Sequence, residues 1–142
     1  MNWGVGDFQF LKSGSDEPCI QPIESSQLAC AAGLAVLDTL EQDGLLANAE
    51  RIGSYLQHAL GQALDGVQGV REVRGRGLML GIELDRPCGV LALQALQAGL
   101  LINVTRDRVI RLLPPLILTE AEADQIVAIL VPLIKTFLAD QA

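Results

Sequence analysis

The sequence predicts an α+β fold, with two N-terminal helices, a small mostly antiparallel sheet and a C-terminal helix. Three observations carry that prediction. Apolar residues recur at helical spacing from Leu28 to Ala63, the period drops to two between Leu78 and Leu84, and a capping pair opens a last apolar helix at Thr119. The resulting order is α-α-β-β-α-β-β-α.

Residues 1–27 mix Gly, Pro, Ser and acidic side chains without sustained periodicity, and read as a loosely ordered arm with one short strand near Phe8 to Leu11. Trp3, Phe8 and Phe10 lie in this arm, and the rest of the chain has only Tyr55 and Phe137 as aromatics, so its composition sets it apart. Ser25 or Ser26 can cap the free amides of a first helix. That helix carries Leu28, Ala32, Ala35, Val36, Thr39 and Leu40 on one stripe, places Cys30 on a packing surface, and ends at Gly44. Leu45, Ala49, Ile52, Leu56, Leu60 and Ala63 form the stripe of a second helix, which stops near Asp65-Gly66.

The alternation of Leu78, Leu80, Ile82 and Leu84 against Met79, Gly81 and Glu83 is that of a half-buried strand, with a shorter strand over Val70 to Arg74 before it. Gly75 and Gly77 mark a bend or a close backbone approach between the two. Pro87 to Ala98 reads as a short helix stopped by Gly99. Leu100 to Val104 and Val109 to Leu113 are β-rich runs joined at Thr105-Arg106-Asp107-Arg108, a hairpin candidate. Pro114-Pro115 breaks the sheet, and Thr119 with Glu122 makes a capping box for a final helix containing Pro132, a site for a kink.

At 142 residues, half of them hydrophobic, the chain has the material for one core that removes roughly two-thirds of its unfolded surface from water. A net charge of -7 excludes a general nucleic-acid binder, which needs a basic face to displace counterions. No apolar run reaches the ~18 residues of a membrane span. The opening MNWGVGDFQFLK lacks the basic and apolar regions of a signal peptide, so the cytoplasm is the expected compartment. Three cysteines, Cys19, Cys30 and Cys88, and one histidine offer neither a disulfide framework nor clustered metal ligands.

Arg111 is the first candidate for chemistry. It lies on the same side of its strand as Val109 and Leu113, just before the Pro-Pro break. A guanidinium on an apolar strand end is costly to bury unless it meets an anion, and a carboxylate fits its planar fork. A solvated strand-edge arginine, or one paired with Asp107 or a nearby glutamate, fits the same pattern. Arg74-Gly75-Arg76-Gly77-Leu78-Met79-Leu80-Gly81 has a glycine rhythm like a dinucleotide fingerprint, but a strand follows where that motif needs a helix. The glycines are therefore read as a bend. His58 sits one residue off an apolar stripe, and no histidine lies near Cys19 or Cys88 in sequence, which leaves no Cys/His nucleophile pair.

Several stretches together resemble one family. Leu28-Ala29-Cys30-Ala31-Ala32-Gly33-Leu34-Ala35-Val36-Leu37 is similar to the helix that follows the Gly-Gly-Asn-Pro turn of class III aminotransferases of the acetylornithine type. Val73 to Leu84 resembles their small-domain strand motif. Gly99 to Val104 followed by Val109 to Leu116 resembles their closing hairpin. The resemblance runs from about Leu28 to the C-terminus and assigns residues 28–142 to the small C-terminal domain.

It implies a fold type I, homodimeric, pyridoxal-phosphate-dependent parent in arginine biosynthesis. The parent moves an amino group between N-acetylornithine, or a related acylated diamino acid, and 2-oxoglutarate. It further implies that Arg111, the arginine of an Arg-x-x-Pro-Pro-Leu motif, grips the substrate α-carboxylate. The departures are equally informative. The chain's two lysines, Lys12 and Lys135, lack the surroundings of the Schiff-base lysine, and Glu24-Ser25-Ser26-Gln27 stands where the Gly-Gly-Asn-Pro turn belongs. The expectation is a truncated aminotransferase with no catalytic residues and no cofactor site of its own. The alternative is an interaction module, or one half of a split enzyme completed by a large-domain chain.

Overall fold

The computed structural model describes residues 27–140, and the chain divides into two units, Met1–Thr39 and Leu40–Ala142. The strand expected near Phe8 and the serine cap of the first helix lie outside the described residues. In the first unit the described part belongs to helix α1 (Gln27–Gln42). Its Leu28, Leu34, Val36 and Leu37 are exposed. Cys30 is exposed too, where the spacing predicts a packing surface. One turn on from Cys30 stands Gly33, which supplies no side chain to cover a thiol.

In the second unit Gly44 adopts φ 62°, and its carbonyl accepts from the Asn48 amide at 3.0 Å, opening α2 (Leu45–Leu64). That helix buries Ile52, Leu56, Leu60 and Leu64, the stripe its sequence spacing predicts. Four strands follow: β1 (Val70–Arg76), β2 (Met79–Leu84), β3 (Asn103–Thr105) and β4 (Val109–Leu112). They form one sheet in the order β1-β2-β4-β3, with every neighbouring pair antiparallel. Helix α3 (Val90–Gln97) lies between β2 and β3 in sequence, and α4 (Glu120–Ala139) comes last. The architecture is two layers, helices over one face of a sheet. The core between them joins Ile52, Leu56 and Leu60 to Leu80, Ile82 and Leu84, to Ile110 and Leu112, and to Leu130 and Ile134.

Two elements begin later than their apolar runs. After α3, Gly99 turns with φ 84°, and the Leu100 amide donates back to the Ala95 carbonyl at 2.8 Å. That glycine cap ties Leu100 to the helix, so β3 starts at Asn103 rather than Leu100. At the other end of α3, the Cys88 amide donates to the Asp107 carbonyl at 2.8 Å in the β3–β4 turn. The chain is thereby held against the hairpin, and the helix starts at Val90 instead of Pro87. Arg106 and Asp107 take φ of 50° and 63° in that turn.

The Gly77-Leu78 loop joins β1 to β2, and Gly77 has φ 52°. This loop rests on α2. A Cβ placed on Gly53 would overlap the Gly77 carbonyl and stand 2.9 Å from its Cα. The close approach predicted from the glycine pattern is therefore between the hairpin and a helix.

Helix α4 packs on α2 and α3 and runs through Pro132. Its N-terminus has the predicted capping box: Thr119 Oγ1 accepts from the Glu122 amide at 3.3 Å, and the Glu122 carboxylate accepts from the Thr119 amide at 2.9 Å. That reciprocal bond holds the Glu122 carboxyl below its ordinary pKa. Removing the cap by Thr119→Ala is expected to cost about 1 kcal/mol in urea unfolding. Because the folded pKa of Glu122 is depressed, its contribution is present above the ordinary carboxylate range. It is lost as the pH falls through the folded value. Urea midpoints measured from pH 6 downward should therefore converge for wild type and Glu122→Gln.

Candidate functional site

The face of the sheet away from the helices carries Arg111. Ile110 and Leu112 on either side of it are buried in the core, so Val109, Arg111 and Leu113 point to the opposite side, as the alternation predicts. Directly opposed residues in antiparallel strands share a face. The register therefore lays one row across all four strands: Arg74, Gly81, Arg111 and Asn103.

The two arginines of this row differ in their partners. Arg74 donates to Glu72 at 2.5 Å and to Glu83 at 2.8 Å, and the bond from Arg74 holds the Glu83 carboxyl below its ordinary pKa. Glu72 and Glu83 face each other across β1 and β2, and Arg74 offsets their repulsion. Arg71 stands 4.0 Å from the same Glu83. Arg71 and Arg74 on β1 are thus met by glutamates within the sheet. Arg111 is half-buried, and its Nε is covered without a hydrogen-bond partner among the described residues. Among the described residues neither Asp107 nor a glutamate pairs with it. A covered guanidinium proton without an acceptor is unfavourable, and a carboxylate on that edge would satisfy it.

The segment leaving Arg111 is pinned from a distance. The Asn48 side-chain Nδ2 on α2 donates to the carbonyls of Leu116 at 2.8 Å and Leu118 at 3.1 Å, fixing the chain after Pro114-Pro115. Nothing in the local sequence of Asn48 signals this role, because its partners lie 68 and 70 residues away. Around Arg111 the face is apolar and exposed at Met79 and Leu113.

The remaining candidates stay apart from this row. His58 is exposed on α2, and Lys135 is exposed on α4, in the helical layer. Lys12 and Cys19 lie outside the described residues. Cys88 is buried before α3, and burial pushes its thiol pKa up. It is expected to resist iodoacetamide in the native chain and to react on unfolding, so its labelling rate should rise with urea alongside the unfolding transition. Among the described residues no group of His, Cys, Asp and Glu side chains could hold a metal ion, and no helix is long and apolar enough to cross a membrane.

Solved aminotransferases share this fold. The ornithine aminotransferase of Plasmodium yoelii superposes with a TM-score of 0.72 at 34% identity, over 78% of this chain and 30% of that one. The acetylornithine aminotransferase of Elizabethkingia anophelis does so with a TM-score of 0.71 at 30% identity, over 78% and 30%. Residues 24–134 match the aminotransferase class-III profile, and the chain belongs to that family. Acetylornithine aminotransferase 1 of Bordetella bronchiseptica is 73% identical over 114 residues, which are 80% of this chain and 29% of the relative. The acetylornithine aminotransferase of Nitrosomonas europaea is 46% identical over 111 residues, 78% of this chain and 28% of the relative. The chain thus spans under a third of the length of these relatives.

The family depends on pyridoxal phosphate and uses amino acid and 2-oxo acid substrates. The one described lysine, Lys135, is exposed in the helical layer, whereas Arg111 is on the open face of the sheet.

Proposed function

We propose that residues 28–142 act as the substrate-carboxylate-binding small domain of an acetylornithine-type aminotransferase. In this reading residues 1–27 are an arm outside that domain. The complete reaction moves an amino group between N-acetylornithine, or a related acylated diamino acid, and 2-oxoglutarate, in arginine biosynthesis in the cytoplasm. The observation that carries the proposal is Arg111, whose covered Nε has no acceptor among the described residues. Both the amino and the oxo substrate bring a carboxylate to such a group, and holding it fixes the reacting carbon relative to the rest of the site.

Catalysis needs a lysine-bearing large domain that binds pyridoxal phosphate. The exposed apolar neighbours of Arg111 on that face, Met79 and Leu113, support docking of that domain on the open sheet face. In the parent the assembled unit is a homodimer. The same surface supports a second reading, in which this chain is an interaction module or the complementing half of a split enzyme.

Borohydride reduction in the presence of pyridoxal phosphate, with and without an added large domain, tests the proposal. The chain alone is expected to give no stoichiometric adduct at Lys12 or Lys135. With the large domain, the label should fall on that domain's lysine and the visible band should respond to N-acetylornithine. Stoichiometric labelling of Lys12 or Lys135, with a band that responds to N-acetylornithine, would overturn it. A defined complex without any spectral response would favour the interaction module.

A further inference from the structure

We infer that Asn103 and Gly81 complete the carboxylate site around Arg111, Asn103 as a second hydrogen-bond donor and Gly81 as the open floor beside the guanidinium. The inference rests on the proposed role of Arg111 and extends it to two residues on the neighbouring strands. Asn103 is the register partner of Arg111 on β3, and Gly81 is its partner on β2. Side chains at directly opposed positions stand about 5 Å apart at their Cβ atoms, within reach of one bound carboxylate group.

Two independent observations support the assignment. Asn103 is exposed, and its side-chain amide makes no hydrogen bond within the described residues. It therefore presents its donors on the same face as the unsatisfied Arg111 Nε. Gly81, for its part, is not explained by the fold. Its backbone does not take the positive φ of Gly77 or Gly99. A Cβ built on it would come no nearer than 3.5 Å to Val109 Cγ1 and 3.9 Å to the Arg74 carbonyl, which is ordinary contact. A Cβ is thus compatible with the strand, and glycine is a poorer strand former than most residues that carry one. What a side chain there would remove is the space between Arg74 and Arg111 on the open face. Arg74 is already bound to Glu72 and Glu83, so the space serves Arg111.

The ligand class is a carboxylate small enough to lie across two strands, the α-carboxylate end of an amino or 2-oxo acid. Arg111 supplies the charge and a planar pair of donors, and Asn103 adds a neutral donor that fixes the rotation of the carboxylate about its own axis.

The test is a titration of the full isotope-labelled chain with glutarate, followed by nuclear magnetic resonance on the Arg111 Nε–H and Asn103 side-chain amide signals. Both sets are expected to move along one binding curve. Asn103→Ala should weaken binding roughly three- to tenfold, the share of one neutral hydrogen bond. Gly81→Val should abolish binding while the thermal unfolding midpoint is kept or raised. Asn103→Asp should shift the Arg111 Nε–H signal before any glutarate is added, because the new carboxylate occupies the site, and glutarate binding should be lost. If the Arg111 signal responds to glutarate but the Asn103 and Gly81 variants bind as wild type does, this inference is overturned and the role of Arg111 stands. If the Arg111 signal does not respond in the wild type, both are overturned.

Discussion

Gly53→Ala is expected to lower the stability of the folded chain by about 3 kcal/mol, measured as a fall in the urea midpoint at unchanged slope. The substitution adds one methyl group in the middle of α2, where alanine is intrinsically the better helix former by about 1 kcal/mol. The sign is reversed by what the methyl meets. It overlaps the Gly77 carbonyl and lies 2.9 Å from the Gly77 Cα, and backbone cannot rotate aside as a side chain does. Either the β1–β2 hairpin lifts off the helix or α2 shifts, and both disturb the contacts of Ile52 and Leu56. Gly61→Ala supplies the control. It is the same change on the same helix, with nothing within 4 Å of the added Cβ, and it should stabilise by about 0.5–1 kcal/mol. Equal effects from the two substitutions would remove the helix–hairpin contact from the account of the fold.

Arg111→Ala carries the second large effect, read in the enzyme assembled with its large domain. Losing a pair of charge-assisted hydrogen bonds to a substrate carboxylate is expected to lower kcat/KM about a hundredfold, corresponding to about 3 kcal/mol. Arg111→Lys should recover only a small part, because an ammonium keeps the charge but not the planar fork. The stability of the chain should be unchanged or raised by Arg111→Ala, since the covered Nε has no partner to lose. A variant whose kcat/KM stays within about threefold of wild type would sink the assignment, since so small a change is less than 1 kcal/mol of transition-state stabilisation.

These expectations divide along the line between local and distant determinants. The stripes of α2 and α4, the alternation of β2 and the capping box at Thr119 are legible in the sequence because each is set by residues within a turn or two of one another. The start of β3 is not, because the apolar run Leu100 to Val104 says nothing of the Leu100 amide, which is taken by the cap on α3. The start of α3 depends on the Cys88 amide reaching Asp107, across nineteen positions of sequence. At the candidate site the strand position and side of Arg111 are legible from alternation. Its neighbours are not: Gly81 and Asn103 come beside it only through the pairing of β4 with β2 and β3, and strand order cannot be read from periodicity. The resemblance to class III aminotransferases identified the family, and it singled out the arginine without assigning a role to what flanks it.

The ties from α2 to α4 and the segment leading into it have a consequence for synthesis. Asn48 reaches Leu116, Arg51 pairs with Glu120, and Tyr55 donates to Asp124 at 2.7 Å, each across 68 or 69 residues. A ribosome adding about 5–20 residues per second needs on the order of 3 to 14 s to deliver α4 after α2 has been made. Through that interval Ile52, Leu56 and Leu60 have no α4 to close over them, and the nascent chain presents a sticky helix to whatever is nearby. Ribosome-associated chaperones that shield apolar segments would find their target in α2, and a stop codon anywhere within α4 should yield a product cleared by proteolysis.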